Sequence, residues 1–243
     1  MNLFIADIPV NIPILYEDDE LLAVEKPRNI HVHPTKMSRG EESVQSILEE
    51  ERSCRLYPAH RLDRPVGGVL LIAKNSETAS IFGEAMRTGG VMDKRYLCIV
   101  RGRMEGGGSI NRPIRQSPGK PEREATTRWR ALATADAPWS DGIFPASRYT
   151  LVECILETGR YHQIRRHLAF ENHPILGDIQ HGDNPRNRIW QKETGIDGLM
   201  LRGHRLSFLH PVSGERISLT ADPDERFIKA AELFEWEEHL VRE

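Results

Sequence analysis

The sequence has no apolar run approaching the roughly 18 consecutive residues that a membrane-spanning helix needs. Its opening residues, Met1 to Asp7, carry neither the positive charge nor the apolar stretch of a secretion signal. Cysteine is scarce. Cys54, Cys98 and Cys154 lie far apart and none belongs to a C-x-x-C pair, which leaves no basis for a disulfide framework or a zinc ribbon. Repeats and linkers are missing too, so the 243 residues read as one domain. Histidines and acids occur at 31, 33, 173, 178, 181 and 183, but without a ligand spacing such as H-E-x-x-H. A metal-dependent nuclease built on His31, His33, His173, Asp178, His181 and Asp183 is therefore a weak rival reading. The expectation is a cytoplasmic, monomeric protein with no metal, no cofactor and no membrane partner.

Excess positive charge is lacking as well, since the net charge is −3. The balance is uneven, however. From Asp222 onward there are eight acidic and three basic residues, so the rest of the chain carries +2. Residues 111–130 hold six basic side chains against Glu122 and Glu124. Local charge governs phosphate binding more than the total does. A basic loop and a solvated acidic helix would look the same, so charge alone does not decide for RNA.

Periodicity predicts an α+β chain built on an extended mixed sheet. Residues 12–16 and 21–24 read as a hairpin around an acidic turn, with a loop from Lys26-Pro27 to about Gly40. A helix is expected over 41–51. A buried strand follows at 69–73, then a helix from Ser76 to Arg87 stopped by Gly89-Gly90. Residues 94–100, 126–132 and 148–156 read as strands, with 136–145 a loop. Residues 111–124 read as an irregular excursion or β-arm. Helices are expected over 161–171 and 184–194. Three short strands are expected at 199–201, 206–209 and 217–219. A closing helix begins near Asp222-Pro223, with Phe227, Ala231 and Phe234 on one face.

Three segments carry chemistry. In His60-Arg61-Leu62-Asp63-Arg64-Pro65-Val66-Gly67-Gly68, a carboxylate flanked by arginines sits on a bent loop before a buried strand. Guanidinium neighbours keep such a carboxylate ionised, fit to act as nucleophile or base. A turn with an ordinary salt bridge has the same appearance. In Thr158-Gly159-Arg160-Tyr161-His162-Gln163-Ile164-Arg165-Arg166-His167, a helix follows a glycine break. Helical spacing places His162 and Arg165 on one face and Ile164 and Leu168 on another. A solvated basic helix is the commoner meaning of that pattern. Lys94-Arg95-Tyr96 heads an apolar strand. Its tyrosine could stack on a base, although a tyrosine there more often belongs to the core.

Taken in order, these segments resemble the H-R-L-D motif, the K-x-Y strand and the T-G-R-x-H-Q-I-R helix of the RluA-type pseudouridine synthases. Lys26-Pro27 through His33-Pro34 is similar to the family's opening N-K-P-x-G-x-x-V-H-P. The run His173-Pro174-Ile175-Leu176-Gly177-Asp178, then His181-Gly182, is similar to its H-P-I-x-G-D-x-x-Y-G. Phe208 to Glu215 is similar to its F-x-H-P-x-T-G-E. The resemblance covers about residues 12 to 220. It implies the pseudouridine synthase fold and isomerisation of uridine to its C-glycoside without a cofactor. It also implies three catalytic residues. Asp63 attacks the sugar, deprotonates it or adds to the base. Arg165 pairs with Asp63. Tyr96 stacks on the flipped uracil and could help to deprotonate C5. Arg61 is expected to fill the gap that the flipped base leaves, and His60, Arg64, Lys94, Arg160, His162 and Gln163 to contact RNA.

The substrate implied is tRNA, at uridine 65. The chain resembles the tRNA-acting branch in having no S4-like domain, in having His181 where tyrosine is usual, and in a long insert at 105–150. The alternatives are ribosomal RNA and a non-catalytic RNA-binding role on the same scaffold. Departures from the family pattern are Val66-Gly67-Gly68 for Thr-Ser-Gly, Glu25 for Asn, Asn29 for Gly, and Arg202-Gly203 for His-Ala.

Overall fold

Alternation along two neighbouring strands sets the layers. In the computed structural model, which describes residues 11–34, 41–88, 92–116 and 119–240, β2 (Leu21–Lys26) lies antiparallel to β4 (Gly67–Ala73). Leu22, Val24, Leu70 and Ile72 enter one core, while Leu21, Ala23, Val69 and Leu71 enter the other. Every residue of β4 is buried. A continuous apolar run has this fate when a strand is covered on both faces.

One ten-stranded sheet grows from this pair. Its other members are β1 (Ile14–Glu17), β3 (Tyr57–Pro58), β5 (Met92–Arg101), β6 (Gly107–Asn111), β9 (Thr126–Ala137), β10 (Ser147–Leu156), β11 (Leu201–Leu209) and β12 (Arg216–Thr220). The order is β1-β2-β4-β11-β5-β10-β9-β6, with β12 on β11 and β3 beside β4. Only β4 and β11 run parallel; the other neighbours are antiparallel. Apart from the sheet, β7 (Ile114–Arg115) and β8 (Glu122–Arg123) form a two-stranded ribbon, the β-arm expected from residues 111–124. Helices α1 (Val44–Arg52), α2 (Ser76–Thr88), α3 (Gln163–Phe170), α4 (Asn184–Thr194) and α5 (Glu225–Phe234) complete the expected α+β architecture. Among the described residues no helix is long and apolar enough to cross a membrane.

Three expectations are corrected. The strands at 199–201 and 206–209 are one strand, β11, running through Arg202-Gly203-His204-Arg205. Those residues look like a loop because they are polar, but Arg202 is buried by an ion pair with Glu25. A register skip between Gly203 and Arg205 absorbs His204 as a bulge. The strand beginning at 126 runs on to Ala137, taking Asp136 and Ala137 from the expected loop. Alanine is a poor strand former, yet pairing along β10 overrides that preference. Helix α3 starts at Gln163, because His162 is its N-cap with left-handed backbone, φ 52°. His162 is therefore not on the helical face of Arg165. The expected stop at Gly89-Gly90 and the end of the loop near Gly40 lie outside the described residues.

At the parallel junction of β4 and β11, Gly68 has φ +125°, and a Cβ there would lie 2.0 Å from the Gly203 carbonyl oxygen. Only glycine permits that approach. The junction fixes where the preceding loop, residues 59–66, leaves the sheet.

Candidate active site

The loop 59–66, the head of β5 and the N-terminal end of α3 enclose a cavity of about 460 Å³. All but one of the sequence-predicted site residues line it: His60, Arg61, Asp63, Lys94, Tyr96, Arg160, His162, Gln163 and Arg165. Arg64 is the exception. Its Nε donates to the Asn29 carbonyl at 3.0 Å and its other end lies 3.7 Å from Glu41, away from the cavity.

Asp63 is held at two points. Its backbone carbonyl accepts from Val66 N–H at 3.0 Å, closing a turn. Its Oδ2 accepts from Arg165 Nη1 at 3.1 Å, and His162 Nε2 lies 3.6 Å from the same oxygen. Among the described residues no hydrogen bond reaches Oδ1, and the side chain keeps 28% exposure. One carboxylate oxygen is anchored and the other faces the cavity.

The expected Arg165–Asp63 pair is present, but it is not the principal bond of this arginine. Arg165 grips Asp178 in a bidentate fork, with Nε to Oδ2 at 2.7 Å and Nη2 to Oδ1 at 2.8 Å. Nη2 also donates to Gln180 Oε1 at 3.1 Å. Arg165 and Asp178 are both nearly inaccessible. Burial opposes the charge of each, and the pairing outweighs it, holding the carboxyl low and the guanidinium high. Asp178 further accepts from the backbone of Gln180 and His181, which shapes the turn after β-bridged Ile175. In the sequence Asp178 and His181 stood out as part of a family-like motif and as members of a possible metal cluster, but neither was predicted as a site residue. Two other members of the histidine and acid set assigned to that rival are engaged outside the cavity. His173 bonds the Arg101 carbonyl, and Asp183 pairs with Arg101 and Arg186. Among the described residues no three such side chains converge.

Lys26 was not predicted as a site residue, although its motif was noted. Its buried Nζ donates to the carbonyls of Pro27, Ile30 and Arg64. Burial pulls its pKa down to about 7, against the attraction of Asp63. This lysine fastens the 27–30 loop to the loop that carries Asp63.

Tyr96 lies on β5 beside Gly203, and its phenol is pushed well above the ordinary range by burial and then by Asp63. It keeps its proton, so its ring can stack, whereas a phenolate base for C5 is disfavoured. Lys94 shares that strand face two residues earlier; burial lowers its pKa, and among the described residues no hydrogen bond or ion pair holds it. His60 is turned into the sheet, where Nε2 accepts from Leu71 N–H at 3.1 Å. Gln163 uses its whole amide. Oε1 accepts from Thr158 Oγ1 and Arg160 N–H, and Nε2 donates to Thr126 O and Thr127 Oγ1. It braces the 158–160 loop against β9, which leaves no donor for RNA.

The far side of α3 carries the arm. Arg166 Nη1 donates to the Arg115 carbonyl, His167 Nε2 contacts the Arg112 carbonyl at 3.0 Å, and Arg160 Nε donates to the Glu124 carbonyl. Ile114, Gln116 and Arg123 consequently overhang the cavity.

Three departures from the family pattern meet on the other side of the loop. Arg202 Nη2 donates to Glu25 Oε1 at 2.5 Å, and a Cβ on Gly67 would lie 3.4 Å from Arg202 Nη1 and 3.3 Å from Arg28 Cγ. The nearest neighbour of such a Cβ is the Lys26 carbonyl oxygen at 3.2 Å, so a serine here would crowd backbone as well as the two arginines.

A family model described as RNA pseudouridylate synthase matches residues 20–170. A protein of Pasteurella multocida named tRNA pseudouridine synthase C is 38% identical, covering 94% of this chain and 98% of its own length. A protein of the same name from Vibrio parahaemolyticus is 36% identical over 96% of this chain and 99% of its own. Among solved structures, human RNA pseudouridylate synthase domain containing 4 superposes with a TM-score of 0.67 at 22% identity, covering 90% of this chain and 92% of that one. That likeness concerns the fold.

Proposed function

The chain belongs to the RNA pseudouridylate synthase family, and we propose that it converts uridine to pseudouridine in tRNA with Asp63 as the catalytic carboxylate. The observation that carries this is the meeting of Asp63, Tyr96 and Arg165 in one cavity. The relatives named for tRNA support the substrate class, and uridine 65 is the target that the sequence resemblance implies.

The reaction breaks the N1–C1′ bond, turns the base and joins C5 to C1′. C5 loses its hydrogen to solvent and N1 gains one. Oδ1 of Asp63 is the oxygen available to the sugar, and an ionised carboxylate beside a breaking glycosidic bond has precedent in glycosidases. Arg165 and His162 hold Oδ2. Tyr96 offers a ring to the extruded uracil, and Arg61, exposed at the mouth, is placed to fill the stack it leaves. A protein that only binds RNA has no need of a carboxylate facing phosphates.

Release of tritium from 5-tritiated uridine in unmodified tRNA, with excess EDTA and the strand left intact, tests the reaction class. About one tritium per modified site is expected, because each isomerisation releases to solvent the one hydrogen carried on C5 of the target uridine. Asp63→Asn lowers turnover by several orders of magnitude, while tRNA affinity stays within about tenfold, since phosphate contacts dominate it. No release from a full pool of unmodified tRNA, nor from ribosomal RNA fragments, would overturn the synthase reading in favour of a binding module. Release confined to ribosomal RNA fragments would overturn the substrate. Mapping pseudouridine in the treated tRNA checks position 65.

A further inference from the structure

His181 touches the site through another side chain. Its Nε2 lies 2.9 Å from Nδ1 of His162, whose opposite nitrogen, Nε2, lies 3.6 Å from Asp63 Oδ2. Both rings are fixed. His162 caps α3 with left-handed backbone and stacks on Tyr161 at 3.7 Å between centroids. His181 N–H donates to Asp178 Oδ1, the carboxylate clamped by Arg165. Asp63, His162 and His181 thus form a row.

The protons of that row have one favourable arrangement. Burial is the main influence on both imidazoles and lowers both pKa values. Around His162, Asp63 and Asp178 favour protonation, while Arg165 and His181 oppose it. Around His181, Asp178 and Asp63 favour it, while Arg165 and Arg166 oppose it. Two neutral rings in N···N contact share one proton. Were His162 the donor, its Nε2 lone pair would face the Asp63 carboxylate, setting acceptor against acceptor in a half-buried site. With His181 Nε2–H as donor, His162 carries its proton on Nε2 and aims it at Oδ2. Only the second arrangement attracts at both ends.

We propose that His181 is a positioning residue for the isomerisation: its Nε2–H fixes the tautomer of His162, so that the His162 Nε2–H faces Asp63 Oδ2 and leaves Oδ1 to the substrate. This rests on the role given to Asp63 above. The 3.6 Å separation is longer than a hydrogen bond, and catalytic contacts of this kind tighten when substrate binds. A tyrosine at 181, the residue of the family pattern, could donate the same bond from its hydroxyl.

The tautomer can be read directly in the full chain carrying ¹⁵N-histidine, with the His162 signals assigned by their loss in His162→Gln. His162 is expected to be protonated on Nε2 in the native chain, and to lose that preference in His181→Phe. In turnover, His181→Phe lowers kcat at least about tenfold, the direction a wrong tautomer produces, with KM within about twofold. His181→Tyr restores kcat. The deficit of His181→Phe relative to the native enzyme shrinks as pH falls toward about 4, the value to which burial lowers the His162 pKa, because an imidazolium carries both protons and needs no partner to place one on Nε2. A packing defect would not recover in that way. A native His162 protonated on Nδ1, or a His181→Phe enzyme with undiminished kcat, overturns the proposal. A native chain that forms no pseudouridine would instead overturn the function, and the ¹⁵N spectrum would still decide the histidine pair.

Discussion

Arg165 serves two carboxylates, and burial decides which bond carries stability. Asp178 is 1% exposed and Asp63 28%. Removing one partner of a buried pair costs about 3–5 kcal/mol, whereas loss of the partly exposed Asp63 leaves Arg165 still paired with Asp178 and so costs less, about 1 kcal/mol. Arg165→Ala is therefore expected to lower unfolding free energy by about 3–5 kcal/mol and Asp63→Ala by about 1 kcal/mol or less, read from urea titrations. Equal losses would make Asp63 the principal partner. His60 gives a pH signature. Burial pushes its pKa from 6.5 down to about 3, and its Nε2 must stay unprotonated to accept from Leu71 N–H. The unfolded chain then binds more protons below about pH 6.5, so stability falls as pH falls from there toward the folded pKa, by up to about 1.4 kcal/mol per unit. His60→Gln keeps an acceptor without the titration, and its stability profile should be flatter by that amount between about pH 6 and about pH 4. An unchanged slope would mean His60 is protonated in the fold. At this scale motif spacing was enough to bring Asp63, Tyr96 and Arg165 to one cavity. It could not show which donors were already engaged, because Gln163, His60 and Arg64 reveal their partners only when the sheet and loops are in place.

Elements with a clean period were legible, and those whose pattern is set by pairing were not. Residues 184–194 announce α4 through Asp183, which caps it, and Gly195, which ends it. The buried β4 announced itself by composition. By contrast β11 is polar at its centre, and β9 continues through alanine because β10 lies alongside. The cations of helix α3 read most simply as a solvated basic face. Arg165 is instead buried, and Arg166 and His167 spend their donors and acceptors on the arm. The arm carries Arg115, Lys120 and Arg123, of which Arg123 lines the cavity. If those three meet phosphates, replacing all three by glutamine should reduce the slope of log affinity against log salt by about 2–3, each contact contributing about 0.7–0.9. Melting should barely change, since the Arg115–Glu122 pair is exposed at both ends. A slope equal to that of the native chain would free the arm from any phosphate role.

Across the molecule, positions distant in sequence prove to be one unit. Glu25, Gly67 and Arg202 each depart from the family pattern, and sequence alone gives no sign that they meet. In the fold they occupy adjacent strands, β2, β4 and β11, where Arg202 pairs in register with Gly67. Arg202 is 3% exposed and depends on Glu25 at 2.5 Å and Asp224 at 3.6 Å for its charge. The strand order that joins them is non-local, which explains why no window of sequence could expose the set. Glu25→Asn leaves a buried guanidinium short of a partner, and Arg202→His leaves Glu25 unpaired and a void beside Gly67. Each single change should cost about 2–4 kcal/mol of stability. The double change removes both charges together, so its cost should fall below the sum of the singles by about 0.5–3 kcal/mol. Gly67→Ser should lose stability in every background, because its Cβ would crowd the Lys26 carbonyl oxygen and Arg28 Cγ, and should lose somewhat less where Arg202 has been replaced. Urea midpoints of the four combinations at 25 and 202, each with and without Gly67→Ser, separate these terms. Strict additivity would mean that the three departures are independent. Non-additivity would identify them as one compensated replacement supporting the strand into which the Asp63 loop runs, and kcat should then track stability across the set only where the β4–β11 junction is disturbed.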